Sequence, residues 1–191
     1  LVSGGLTLNN ASSKLLLNSI TVDNVSTTSD SLGLDVDANS TVTSLSVANI
    51  TPVSIASGSS LFGGITVTAG SLKLSEAGTL ASTISMSGGV LDADESSTVS
   101  GALTHSGDIT IDVADNKTLT YTGAAISLGA NTLTLSGGGS LVSGGLTLNN
   151  ADSKLLLNSI TVDNVSTTSG SLGLDVDNNS TITSLSVAHI T

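Results

Sequence analysis

Residues 132–157 read TLTLSGGGSLVSGGLTLNNADSKLLL. Apolar residues take alternate places here, as in Leu133-Thr134-Leu135 and again in Leu146-Thr147-Leu148. A period of two belongs to an extended strand with one face turned in and the other out. Between the triplets stand clusters of Gly, Ser, Asn and Asp, the residues that punctuate turns. The same pulse runs along the whole chain. Further triplets start at residues 6, 20, 32, 45, 53, 65 and 72, then at 84, 109, 119 and 126. Nowhere does the spacing i, i+3, i+4, i+7 persist long enough for a helix.

Spacing decides how such strands are arranged. Triplets two steps apart repeat at close to 20 residues: 45 to 65, 53 to 72, 65 to 84 and 126 to 146. A rung of that length holding two or three short strands predicts an all-β fold, a right-handed parallel β-helix (β-solenoid). At ~4.8 Å per rung, about nine or ten rungs predict a rod roughly 45 Å long. The alternative is a pair of tandem antiparallel β-sandwich modules. Those run to about 100 residues each, prefer strands of about 5–6 residues and usually bury a Trp or Tyr.

A larger repeat overlies the small one. Residues 1–51 and 141–191 differ at five positions: Ser12/Asp152, Asp30/Gly170, Ala38/Asn178, Val42/Ile182 and Asn49/His189. Residues 1–191 therefore predict one continuous solenoid, with 1–140 a full unit and 141–191 the start of the next. The chain begins in mid-pattern, which predicts a piece of a longer array. Its unpaired ends would be sheet edges, and edges invite another chain. End-to-end stacking with neighbouring repeat units is the partner this predicts.

Composition narrows the function. Hydrophobic residues are 38% of the chain and aromatic ones 1%, Phe62 and Tyr121 alone, with no Trp. A narrow coil lined by Leu, Val and Ile ladders has little room for rings. Lys14, Lys73, Lys117 and Lys154 face fifteen acids, no Arg is present, and the net charge is −11. Phosphate backbones and anionic lipid surfaces both call for a basic footprint, so neither nucleic acid nor membrane is an expected partner. Cysteine is absent, which removes disulfides, thiolate catalysis and Cys-ligated metals. No apolar run approaches the ~20 residues of a membrane span. No basic segment followed by an apolar stretch opens the chain, so no signal peptide is read there.

Individual motifs add little chemistry. LGLDVDANS (32–40), echoed at 172–180, places Asp35, Asp37 and Asn39 at alternate positions, like the first ligands of a calcium loop. The Gly such a loop needs is Ser40, and its bidentate Glu is Ser46. Outward acids on a strand account for the pattern equally well. GGVLDADES (88–96) is one incomplete copy of a calcium-binding nonapeptide, and GDITIDVADNK (107–117) reads as a strand entering a turn. The only histidines are His105 and His189, and His189 replaces Asn49 of the first copy. No catalytic, metal or cofactor residue is assigned, and the chain is not expected to be an enzyme. The glycines at 137–139 and in SGG at 3–5, 87–89 and 143–145 are turn glycines, since none precedes a helix. Thr-x-Thr triplets at 41, 66, 118, 132 and 181 raise the alternative of an ice-binding face, although their spacing is not that of whole rungs.

In style, the stretch at 132–157 resembles the short coils of bacterial autotransporter passengers and filamentous-haemagglutinin-type adhesins. The resemblance covers the chain through its Gly-rich turn, Leu-Thr-Leu and Asn or Ser turn pattern. It implies a secreted or cell-surface location and a long β-helical stalk that projects or carries adhesive surfaces. The function expected is that of a structural stalk or adhesin segment of a large repetitive extracellular bacterial protein, meeting a cell-surface or extracellular receptor. A calcium-stiffened adhesin repeat and an ice-binding solenoid are the alternatives.

Overall fold

The triplets become short strands, and every strand pairing is parallel. The computed structural model describes residues 4–28, 33–37, 40–49, 51–55, 60–168 and 173–188. The strands begin with β1 (Leu6–Leu8), β2 (Lys14–Leu17), β3 (Thr21–Thr27) and β4 (Gly33–Val36). They continue through β5 (Thr41–Val47), β6 (Thr51–Ile55), β7 (Ser60–Val67) and β8 (Ser71–Leu74). Next come β9 (Thr79–Leu80), β10 (Thr83–Met86), β11 (Val90–Ala93), β12 (Ser97–Val99) and β13 (Leu103–His105). β14 (Ile109–Val113), β15 (Thr118–Tyr121), β16 (Ile126–Ser127), β17 (Thr132–Ser136) and β18 (Ser140–Val142) follow. The second copy supplies β19 (Leu146–Leu148), β20 (Lys154–Leu157), β21 (Thr161–Thr167), β22 (Gly173–Val176) and β23 (Thr181–Val187).

The result is a β-solenoid of about 8 turns, with no helix among the described residues. It has three walls. The first stacks β1-β3-β5-β7-β10-β13, and the second stacks β2-β4-β6-β8-β11-β14-β17-β20-β22. The sheet of the third wall carries β9, β12, β15 and β18 and then bends through β21 to β19 and β16, which stand on the line of the first wall as β1 does in the first copy. β21 makes that bend by pairing its start with β18 and its end with β19. The antiparallel sandwich alternative is thereby excluded, because strands 19 to 24 residues apart lie side by side in parallel.

Two details depart from the sequence reading. Turns near the N-terminus take 19 or 20 residues, whereas along the second wall the turn from β14 to β17 takes 24 and that from β17 to β20 takes 22. Longer turns consume chain, so about 8 form where nine or ten were expected. Five strands also run seven or eight residues rather than three. In β3 both Val22 and Val25 are buried although they stand three apart. The backbone stays extended round the corner at Asp23-Asn24 while the inward parity switches.

Inside the coil each turn places aliphatic residues on those of the next. Leu91 lies between Leu72 and Ile111, and Leu133 between Ile109 and Leu155. All six are buried, and full burial of such a side chain contributes about 1.5–3 kcal/mol. Tyr121 is also buried, and it sits where the turns are longest. The aromatic side chain thus falls in the turn that uses the most residues. The side chain of Phe62 lies outside the described residues. The glycine triplet at 137–139 is a turn, as its composition predicts. Gly137 has φ +107, and a Cβ there would come within 2.3 Å of the Val113 carbonyl.

Removing one rung of this ladder measures its worth. Ile111→Ala should lower unfolding stability by about 2–5 kcal/mol in urea titration, with an unchanged m-value. A loss below about 1 kcal/mol would show that the inward stack does not hold the coil.

Candidate functional site

Among the described residues the motifs that the sequence singled out are not gathered in one place. They fall instead on three chemically different walls. The second wall carries the charge: Lys14, Asp35, Lys73, Asp92, Asp112, Lys154 and Asp175 all lie on its strands. On the first wall the stretches that stack in register, 6–8, 25–27, 45–47, 65–67, 84–86 and 103–105, contain no Asp, Glu or Lys, and Asp23 of β3 stands at the corner before them. Their outward residues are hydroxyls. Thr7, Ser26, Ser46, Thr66, Ser85 and Thr104 stand in unbroken register, one per turn. Ser127, Thr147, Ser166 and Ser186 form a second such run. Neighbours touch, with Thr7 Oγ1 3.1 Å from Ser26 Oγ and Thr147 Oγ1 3.2 Å from Ser166 Oγ.

The acids that suggested calcium have other partners. The Asp35 carboxylate lies 3.8 Å from Lys14 Nζ, a solvated pair of small worth. Asp37 turns back to the preceding turn and accepts the Ser19 N–H at 3.1 and 3.2 Å and the Ser40 hydroxyl at 2.5 Å. Ser19 has φ 54, and this clamp recurs in the second copy. There Ser159, at φ 56, donates its N–H to both oxygens of Asp177, and the Ser180 hydroxyl adds a bond of 2.6 Å. The two carboxylates therefore hold a left-handed serine in place rather than converging on a common point. Asn39 and His189 lie outside the described residues. Among the described residues no group of three or more Asp, Glu or His could hold a metal ion.

Other acids bridge turns in the same way. Thr132 donates its N–H to Asp108 at 2.7 Å, and Ser136 donates its hydroxyl to Asp112. Ser143 donates its N–H to Asp163 at 2.9 Å. In GGVLDADES, Asp92 and Asp94 lie 3.3 and 2.7 Å from Lys73 Nζ. Burial is the largest influence on Asp92 and pushes its carboxyl up, outweighing the opposite pull of Lys73, while Asp94 and Asp112 add to the rise. The Asp94 hydrogen bond is the main cause of the raised Lys73 pKa. His105 contacts the Gly107 carbonyl at 3.2 Å, not a carboxylate, so no Ser–His–Asp arrangement is built on it.

The Thr-x-Thr triplets do not share one face. Thr66 lies on the first wall, Thr132 and Thr134 on the second, and Thr118 and Thr120 on the third. The hydroxyl column escaped sequence reading because it uses one position per turn in a chain where Ser and Thr are common. Only a register of 19 or 20 residues brings those positions together. No protein-family model, curated protein or solved structure matches the chain.

The carboxylate clamp has a pH signature. Asp177 is held below its ordinary value of 3.8, first by the Ser180 hydroxyl and then by the Ser159 N–H. A lowered folded value means the contribution is complete above the ordinary carboxylate range and is lost as pH falls through the lower value. Melting of wild type and Asp177→Ala should therefore differ at neutral pH and converge as pH falls below the ordinary carboxylate range. A gap that stays constant down to acid pH would show that ionisation of Asp177 plays no part.

Proposed function

We propose that the chain is a stalk segment of a large, repetitive extracellular bacterial protein that projects or contributes to cell-surface adhesion. The observation that carries this reading is the placement of the second copy. Each strand from β19 to β23 repeats the bounds of β1 to β5 one 140-residue unit later. A unit that returns to the same conformation after about seven turns can be added without altering its neighbours, which is the logic of a solenoid array. End-to-end stacking of units is part of this reading, and the exposure of the last described turn supports it. Val176, Leu185 and Val187 are 42%, 50% and 46% exposed, whereas Val36, Leu45 and Val47 of the first copy are buried by the following turn. The extracellular bacterial setting and the adhesive role rest on the likeness of the rungs to autotransporter passengers and filamentous-haemagglutinin-type adhesins. The outward acids suit a soluble shaft.

A second reading is favoured by the hydroxyl column on the first wall. A flat, uncharged rank of Ser and Thr at ~4.8 Å intervals could order water and bind ice.

Two measurements decide between them. Proteins of one, two and three units should lengthen in small-angle X-ray scattering by about 34 Å per unit, seven rungs of ~4.8 Å. Globular growth would sink the stalk. For the second reading, the expected result is faceted ice and a thermal hysteresis gap that Ser85→Lys abolishes. Freezing like that of an inert protein at equal concentration would dismiss it.

A further inference from the structure

The first wall is broken at one place. Among the described residues β13 pairs only with β10 and β16 only with β19, although β16 and β19 stand on the line of the first wall, where β19 repeats the place of β1. The second and third walls continue past this point through β14–β17 and β15–β18. The wedge is Tyr121. Its ring is buried at the end of β15, and its hydroxyl accepts the Leu103 N–H at 3.0 Å. A neighbouring strand would otherwise take that bond. Gly123 packs so closely on the ring that a Cβ would come within 2.3 Å of the hydroxyl.

Between the two edges lies a cavity of about 290 Å³, lined by Leu103, Thr104, His105, Ala124, Ala125 and Ser127 beside Tyr121. Thr104, Ala124, Ala125 and Ser127 are exposed, so the cavity opens on the outer surface. No charged side chain lines it.

The backbone groups facing the cavity follow from the ladder, in which alternate residues address opposite neighbours. Ile84 donates to the Ala102 carbonyl and Ser106 to that of Met86, which commits the even-numbered residues to β10. The Leu103 carbonyl and both backbone groups of His105 are then aimed at the cleft. Across it, Ile126 and Leu128 donate to Gly145 and Thr147, which leaves the N–H and C=O of Ser127 facing the cleft. His105 adds an acceptor. The Gly107 carbonyl beside Nδ1 can only accept, so in the neutral ring Nδ1 carries the proton and Nε2 the lone pair. Nε2 is buried without a partner.

We propose that this cleft accepts a short extended peptide segment with small, uncharged side chains, which inserts between β13 and β16 and completes the first wall. Two facing edges with alternating donors and acceptors match a polypeptide backbone, the chemistry of strand addition. The alanine and hydroxyl lining leaves room for Gly, Ala, Ser or Thr side chains, and no Asp, Glu, Lys or Arg lines it.

The test is a titration of the nitrogen-15-labelled chain with acetyl-Ala-Ser-Ala-Ser-Ala-amide, followed by NMR. The expected result is saturable shifts at the amides of Leu103, His105 and Ser127, with slowed hydrogen exchange at His105 and Ser127. An analogue N-methylated at alternate amides should bind about tenfold more weakly, the scale of one lost hydrogen bond. Ser127→Pro should do the same, because it removes a cleft-facing donor and leaves those of Ile126 and Leu128 intact. The N-methylated analogue keeps the test decisive if that variant does not fold. No saturable shift, shifts confined to β1, β2, β22 and β23 at the ends of the coil, or equal binding of the N-methylated analogue would each overturn the proposal.

Discussion

Everything in this molecule depends on one turn of chain lying flat on the next. Parallel pairing joins the backbones, and the same register sets Leu, Ile and Val of one turn on those of its neighbours. A single turn has almost no interior of its own. Its apolar face is covered only from above and below, so stability comes from contact between turns, as in repeat proteins generally. This explains why the inward positions tolerate so little chemistry. It also explains why the Val42 to Ile182 change between the copies keeps an inward aliphatic residue.

Outward positions obey a different constraint. A three-walled coil turns a corner several times per rung, and corner backbone needs partners that the sheets do not supply. Carboxylates supply many of them. Asp37 and Asp177 each hold a serine N–H of the preceding turn, while Asp108 and Asp163 hold the N–H groups of Thr132 and Ser143. Much of the acidity that dominates the composition is therefore structural. The price in charge repulsion is confined mainly to the second wall, where Asp92 stands in register with Asp112. The in-register stretches of the first wall carry hydroxyls in place of carboxylates.

The period, the parallel coil and the inward ladder were legible in the residues, because alternation and a 20-residue interval are both one-dimensional signals. What stayed hidden depends on three dimensions. The corner at Asp23-Asn24 reads as a turn, yet the strand continues through it with changed parity. The hydroxyl column joins Thr7, Ser26 and Ser46, residues that look unremarkable in a Ser- and Thr-rich chain until the register is known. Tyr121 stood out only as a rarity. Its effect on β13 and β16 follows from a side chain too large for a narrow coil, placed where the surrounding turns have lengthened. Asp35 and Asp37 had the spacing of ligands, but the pleat sends one toward Lys14 and the corner sends the other toward Ser19.

The compact rise of the coil has a mechanical corollary. A turn of 19 to 24 residues advances the coil by only one strand spacing, ~4.8 Å. Peeled from an end and pulled straight, the same turn spans roughly 65–85 Å. Because each turn is held chiefly by the one beneath it, tension applied at a terminus is relieved turn by turn from that end. The chain thus stores more than ten times its folded rise as slack, and pays it out in steps set by the length of each turn.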